Sequence, residues 1–174
     1  QGQTLGDAAY SFQTLLNAAP DEFSFALVSC HAPFKYSGDS RTTMWQRLSQ
    51  EVATRAENNK PVSFLLQVGD QIYADEKAHF WQSSPWDKCL AMDNADPQTA
   101  ARRQALYRDT YVRYWDFPVL RQLYARLPQY MMWDDHDITN GGGSGETHQN
   151  ASEQSTFAAA KAVYRQFQHV HNPG

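Results

Sequence analysis

Apolar residues gather in three short runs, each too short for an ordinary helix. Phe23 to Ser29 (FSFALVS), Val62 to Val68 (VSFLLQV) and Gln129 to Trp133 (QYMMW) read as buried strands. Between the first two, after the polar Ser37-Gly38-Asp39-Ser40, the apolar Met44, Leu48 and Val52 recur every four positions and predict a helix that stops in the breaker Glu57 to Pro61. Strand, helix, strand is a βαβ unit. Helices are also predicted over Thr99 to Tyr114, over Val119 to Arg126 after Pro118, and over Ser152 to Val170, the last with Phe157, Ala160, Tyr164 and Phe167 on one stripe. Asp75 to Pro97, with Trp81, Pro85 and Trp86, reads as a long decorated loop. Asn140 to Gly145 is too rich in glycine for regular structure.

Each strand run ends in a potential metal ligand: Cys30 after the first, Asp70 after the second, Asp135-His136 after the third. Open α/β sheets bind ligands beyond the carboxyl ends of their strands, so residues far apart in the chain converge there. The convergence carries the reading, because Cys30 alone is more often a small buried hydrophobe and Asp70 alone as often caps a turn. Tyr73 alone would be a packing aromatic, and Asp134 reads as structural beside Asp135. The Gly141 to Gly145 run lacks the Lys and Ser/Thr of a P-loop and reads as a loop at the site's edge. His169 and His171, at i and i+2, do not share a helix face and are poor chelating partners; His79 and His148 have no stronger claim.

Composition narrows the function. A chain of 174 residues with 41% hydrophobic and 20% charged residues has enough apolar material for one ordinary core, or for part of a larger domain. A net charge of -4 offers no footprint for a nucleic-acid backbone. Two cysteines, Cys30 and Cys89, call for no disulfide framework and leave open a single bridge. No apolar run is long enough for a membrane span, and Gln1 to Tyr10 has neither the basic nor the apolar region of a signal peptide, so a soluble chain is expected, with its compartment open. No G-x-S-x-G nucleophile elbow supports a serine esterase.

Leu66 to Tyr73 (LQVGDQIY) is similar to the GDxIY element of PhoD-like, alkaline phosphatase D type, phosphatases. Ser29-Cys30 resembles their strand-end cysteine, and Trp133 to Asp137 with Asn140 resembles their WDDHxxxN element. The ordered match runs from about Phe23 to Asn140. The resemblance implies an α/β fold, part of the four-layer α/β/β/α sandwich of calcineurin-like metallophosphoesterases, with residues 1–174 as the N-terminal portion of one such domain. It implies hydrolysis of phosphate esters, monoesters or diesters, by a metal-activated hydroxide. Asp70 would bridge two ions, Cys30 and Tyr73 would complete a site suited to Fe(III), and Asp135, with Asn140, would hold a divalent ion such as Ca2+, zinc and manganese being alternatives. His136 would serve the leaving oxygen and Asp137 would orient its imidazole.

The family carries further metal ligands in a Gly-Asp-x-His type element that has no counterpart here, so the C-terminal half of the domain is expected to be missing and to act as a partner. The alternative is a noncatalytic binding or interaction module on a degenerate scaffold, which would hold no stoichiometric metal.

Overall fold

The computed structural model describes residues 23–78, 82–142 and 150–172. The leader reading at Gln1 to Tyr10, the readings of His79, Trp81 and His148, and the Gly143 to Gly145 part of the glycine run lie outside the described residues. Three parallel strands, β1 (Ser24–Val28), β2 (Val62–Val68) and β3 (Gln129–Met132), form one sheet in the order β1-β2-β3. The chain is therefore α/β, as the periodicity predicts.

Helix α1 (Thr43–Glu57) connects β1 to β2. Its apolar stripe differs from the prediction at one end. Met44 is 71% exposed, and its neighbour Trp45 is buried instead, because the indole N–H of Trp45 donates to Nδ1 of His31 at 3.0 Å. The stretch read as a loop from Asp75 to Pro97 contains a short helix, α2 (Pro85–Leu90). Proline stands at its first position, and the hydroxyl of Ser84 caps it by accepting from the N–H of Asp87. Helices α3 (Thr99–Trp115), α4 (Pro118–Tyr124) and α5 (Ala151–Phe167) follow, with α5 opened by an Asn150–Glu153 capping box. His169 and His171 lie exposed in a short 3-10 turn after α5.

Alternation along the strands divides the sheet into two unlike faces. Leu65, with Ala26 and Val28, packs under Trp45, Leu120, Leu123 and Leu127 of the α1 and α4 side. On this face Gln67 donates to Gln129 at 2.8 Å and accepts from the Tyr124 hydroxyl at 3.1 Å, so both buried amides are satisfied. The opposite face carries Phe25 beside Phe64, Leu27 beside Leu66 and Tyr130, and Val68 beside Met132, all in register. Every one of these side chains is apolar or aromatic, yet Phe25, Leu27 and Met132 are each about half exposed, at 47%, 59% and 53%. The Phe25 and Phe64 rings stack at 5.2 Å.

A second core joins the sheet's carboxyl end to α2, α3 and α5. It contains Ile72, Tyr73, Trp86, Cys89, Tyr107, Tyr111, Tyr114, Ile138 and Val163. Between the two cores stands His31, whose Nε2 lies 2.7 Å from the Tyr114 carbonyl while Nδ1 accepts from Trp45. These partners fit the neutral ring, and burial pushes the His31 pKa down to about 4. The group's charge is admitted more readily by the unfolded chain, whose ordinary value is about 6.5. Stability contributed by neutral His31 is therefore present above about pH 6.5 and lost as pH falls toward 4, by roughly 3 kcal/mol. Denaturant unfolding of wild type and His31→Gln across this range is expected to show a steeper acid loss in wild type. Equal slopes would show that His31 does not carry the effect.

Candidate metal centre

The three strands release their chains on the same edge of the sheet, and the exits are tied together. The N–H of Cys30 donates to the Gly69 carbonyl at 3.3 Å, and that of His31 to the Asp70 carbonyl at 2.9 Å. Cys30 and Asp70 both take positive φ, 59° and 54°, a left-handed conformation that costs non-glycine residues about 1–3 kcal/mol and gathers at functional sites. Both turn abruptly out of their strands at the two positions singled out by sequence.

Their side chains meet. The Cys30 Sγ lies 3.5 Å from Oδ2 of Asp70, and the Tyr73 hydroxyl donates to the same oxygen at 3.1 Å. Oδ1 of Asp70 is buried and has no hydrogen-bond partner among the described residues. From the third strand, Asp135 and His136 complete a group in which one ligand atom each of Asp70, Asp135 and His136 lies within 4.8 Å of the others. Asp70 thus has a thiol, a phenol, a carboxylate and an imidazole gathered about it. An orphaned, buried carboxylate oxygen amid such donors fits a bound cation.

The ionisation of the group points the same way. Burial, then the Asp70 charge, pushes the Tyr73 phenol far up, and burial also raises Asp70 against its hydrogen bonds from Tyr73 and Cys30. Without a cation the Tyr73 phenol keeps its proton. For His136, burial alone would lower the pKa, but the Asp75 hydrogen bond and the charges of Asp75, Asp135 and Asp70 outweigh it, leaving the imidazole above its ordinary value. The Tyr73 ring is flanked by His136 at 4.6 Å between centroids and by the Lys35 ammonium 4.6 Å from its centre. Consecutive acidic residues hold these two groups: Asp75 contacts His136 and Glu76 pairs with Lys35 at 2.6 Å.

Asp137 and Asn140 make their own contacts around the group. The imidazole partner is Asp75, whose oxygens lie 2.9 and 3.0 Å from Nδ1 of His136, and not the adjacent Asp137. Asp137 is one residue along a 3-10 turn (Asp135–Asp137), which rotates its side chain inward onto main-chain N–H groups. Asn140 meets the site through its main-chain N–H, which donates to Asp75 at 2.8 Å, while its residue remains exposed. Asp134 caps the turn by accepting from the N–H of Asp135, and Gly141 donates to Asp135 at 2.7 Å. Sequence reading passed over Asp75 and His31. The only sequence signal for Asp75 was its place two residues after Tyr73.

The PhoD-like phosphatase family model matches residues 25–173, and the chain belongs to that family. Phosphatase-type chemistry on a phosphate ester, in an enzyme class that is generally metal-dependent, follows from that membership. No curated protein and no solved structure matches the chain. No helix among the described residues is long and apolar enough to cross a membrane.

The geometry depends on a missing side chain. Gly69 has φ +102°, and a Cβ there would stand 2.4 Å from Cβ of Asp134, so the loops bearing Asp70 and Asp135 touch through it. Gly38, at φ +59°, faces open space. Gly69→Ala is expected to lower stability by more than Gly38→Ala, which carries only a backbone cost of about 1 kcal/mol. Thermal melts of the two variants make the comparison, and equal losses would mean the close approach is immaterial.

Proposed function

We propose that the site holds two metal ions and hydrolyses phosphate esters, diesters preferentially or alongside monoesters. The observation that carries this is the position of Asp70, with Oδ2 shared by Cys30 and Tyr73 and Oδ1 buried without a partner. A carboxylate so placed has one oxygen for each of two cations. Cys30 and Tyr73 would hold the first ion with Asp70, a donor set whose anionic charge suits Fe(III). Asp135 would hold a divalent ion such as Ca2+, with Asn140 beside it; zinc or manganese would fit the same oxygen donors. When bound, such a pair supplies Lewis-acid polarisation of the phosphoryl group and acidifies water.

The chain's own residues supply the rest. Asp75 fixes Nδ1 of His136, which leaves Nε2 as the nitrogen free to give a proton to the departing ester oxygen. Tyr73 packs against the same ring and limits its rotation.

The all-apolar open face of the sheet supports a second proposal about architecture. Parallel sheets are ordinarily covered on both faces, and here the covering layer would be the rest of an α/β/β/α sandwich, which would also bring further ligands. The 174-residue chain by itself is therefore expected to bind an environment-sensitive hydrophobic dye and to turn over model esters poorly with iron, calcium, manganese or zinc supplied. Robust turnover by monomeric, dye-silent chain would overturn this.

In the complete enzyme, Asp70→Asn is expected to abolish nearly all turnover together with metal content. His136→Ala should keep metal and lose about 10²–10⁴-fold in rate, and Tyr73→Phe should remove the visible charge-transfer band of the iron-loaded protein. Metal analysis, absorption spectra and steady-state kinetics on the three variants test the assignment. Loss of metal in His136→Ala would move that residue into the ligand set, and a folded Asp70→Asn with wild-type turnover would sink the reading.

A further inference from the structure

Asp137 is buried to 2% exposure beneath the site, yet its carboxylate touches none of the candidate ligand atoms described above. Its Oδ1 accepts from the N–H of Gln71 at 3.2 Å and of Ile72 at 3.3 Å, and its Oδ2 accepts from the N–H of Asp134 at 3.0 Å. Gln71 and Ile72 lie between Asp70 and Tyr73, and Asp134 immediately precedes Asp135. One carboxylate therefore grips both loops that carry the site. From the opposite direction the Gln168 amide donates to Oδ1 at 2.8 Å and the Tyr111 hydroxyl at 3.5 Å, which anchors the carboxylate to α3 and the end of α5. Gln168 in turn donates to the Tyr111 hydroxyl at 2.8 Å.

We propose that Asp137 is a positioning residue whose carboxylate sets the separation between the loop of Asp70 and Tyr73 and the loop of Asp135 and His136, by binding main-chain N–H groups of both. A polar side chain buried merely to fill the core would need partners from one element. Here the main-chain partners divide between two ligand loops, and the Gly69 to Asp134 contact shows that these loops lie as close as their backbones allow. Metal sites tolerate ligand displacements of only a few tenths of an ångström, so residues that orient ligands are worth about 10–100-fold in affinity. The proposal rests on the metal-site reading only for its affinity consequence; the clamp itself is a statement about the protein without metal.

The experiment compares wild type, Asp137→Asn and Tyr111→Phe by residue-resolved hydrogen exchange without metal, and by metal titration. Both oxygens of Asp137 face N–H donors, so an amide in its place sets its own NH2 against one loop whichever way it turns. In wild type the N–H groups of Gln71, Ile72 and Asp134 should exchange slowly although they lie outside the strand ladders. In Asp137→Asn they should exchange at least about tenfold faster while β1 and β2 keep their protection, and metal affinity should fall by about 10–100-fold. Tyr111→Phe, which removes only a helix-side hydroxyl that donates to Asp137 and accepts from Gln168, should leave both readouts within about twofold of wild type.

Fast exchange of these three amides in wild type would overturn the clamp, and this holds even if Asp137→Asn fails to fold. Equal loss of loop protection in Tyr111→Phe would overturn it too, reducing Asp137 to one member of a general core network. If wild type shows slow exchange but no metal binding, the clamp stands and the metal-site reading falls.

Discussion

The site depends on the closeness of two loops. Parallel pairing of β2 with β3 brings Val68 opposite Met132, and the chains leaving these strands have no room between them for a side chain at Gly69. Once the backbones touch there, Asp70 and Asp135 must emerge side by side. The first strand is drawn in by the main-chain bonds from Cys30 and His31 to Gly69 and Asp70. Packing at one glycine thus converts three separate strand ends into one cluster, and the left-handed turns at Cys30 and Asp70 aim their side chains at each other.

Closeness has an electrostatic consequence. Asp70, Asp135 and Asp137 lie within one small region with a thiol and a phenol, and burial penalises the negative charge of Asp70, Tyr73 and Asp137. In the protein without metal, burial pushes the carboxyl of Asp137 up to about 7, against the pull of its N–H donors at Asp134 and Gln71. The basic groups nearest Tyr73, His136 and Lys35, are each already paired to their own carboxylates, Asp75 and Glu76. They hold the cluster in place without neutralising it. A multivalent cation is the group that would stabilise all these anions together, which is why chemistry and electrostatics favour the same occupant.

The strands and long helices were legible because their apolar spacing reports burial directly: β2 occupies the span read from VSFLLQV, and α3 departs by one residue from the helix read at Thr99 to Tyr114. The convergence of Cys30, Asp70 and Asp135-His136 was legible for the same reason, since each follows a buried strand. Partnerships formed across the fold were not. Asp75 reaches His136 across 61 positions, and nothing local in the chain distinguishes it from Asp137, the nearer carboxylate. His31 was hidden beside Cys30, its meaning residing in Trp45 and Tyr114. Helix α2 escaped because six residues are too few to show a period, leaving only its Ser84-Pro85 start as a signal.

The two faces of the sheet differ in what they leave to solvent. Gln67 and Gln129 are buried on the helix-covered face and satisfy each other there, whereas the open face is apolar between Phe25 and Met132 apart from the hydroxyl of Tyr130. At the β3 edge, the Asn172 side chain both accepts from the N–H of Met131 at 2.7 Å and donates to its carbonyl at 2.6 Å, occupying that residue's pairing positions as a neighbouring strand would. With Met131 so occupied, the apolar face is the larger unsatisfied surface of the sheet. Anything laid over that face would leave the strand ends, and hence the candidate metal site, at its rim, clear of the contact at Gly69.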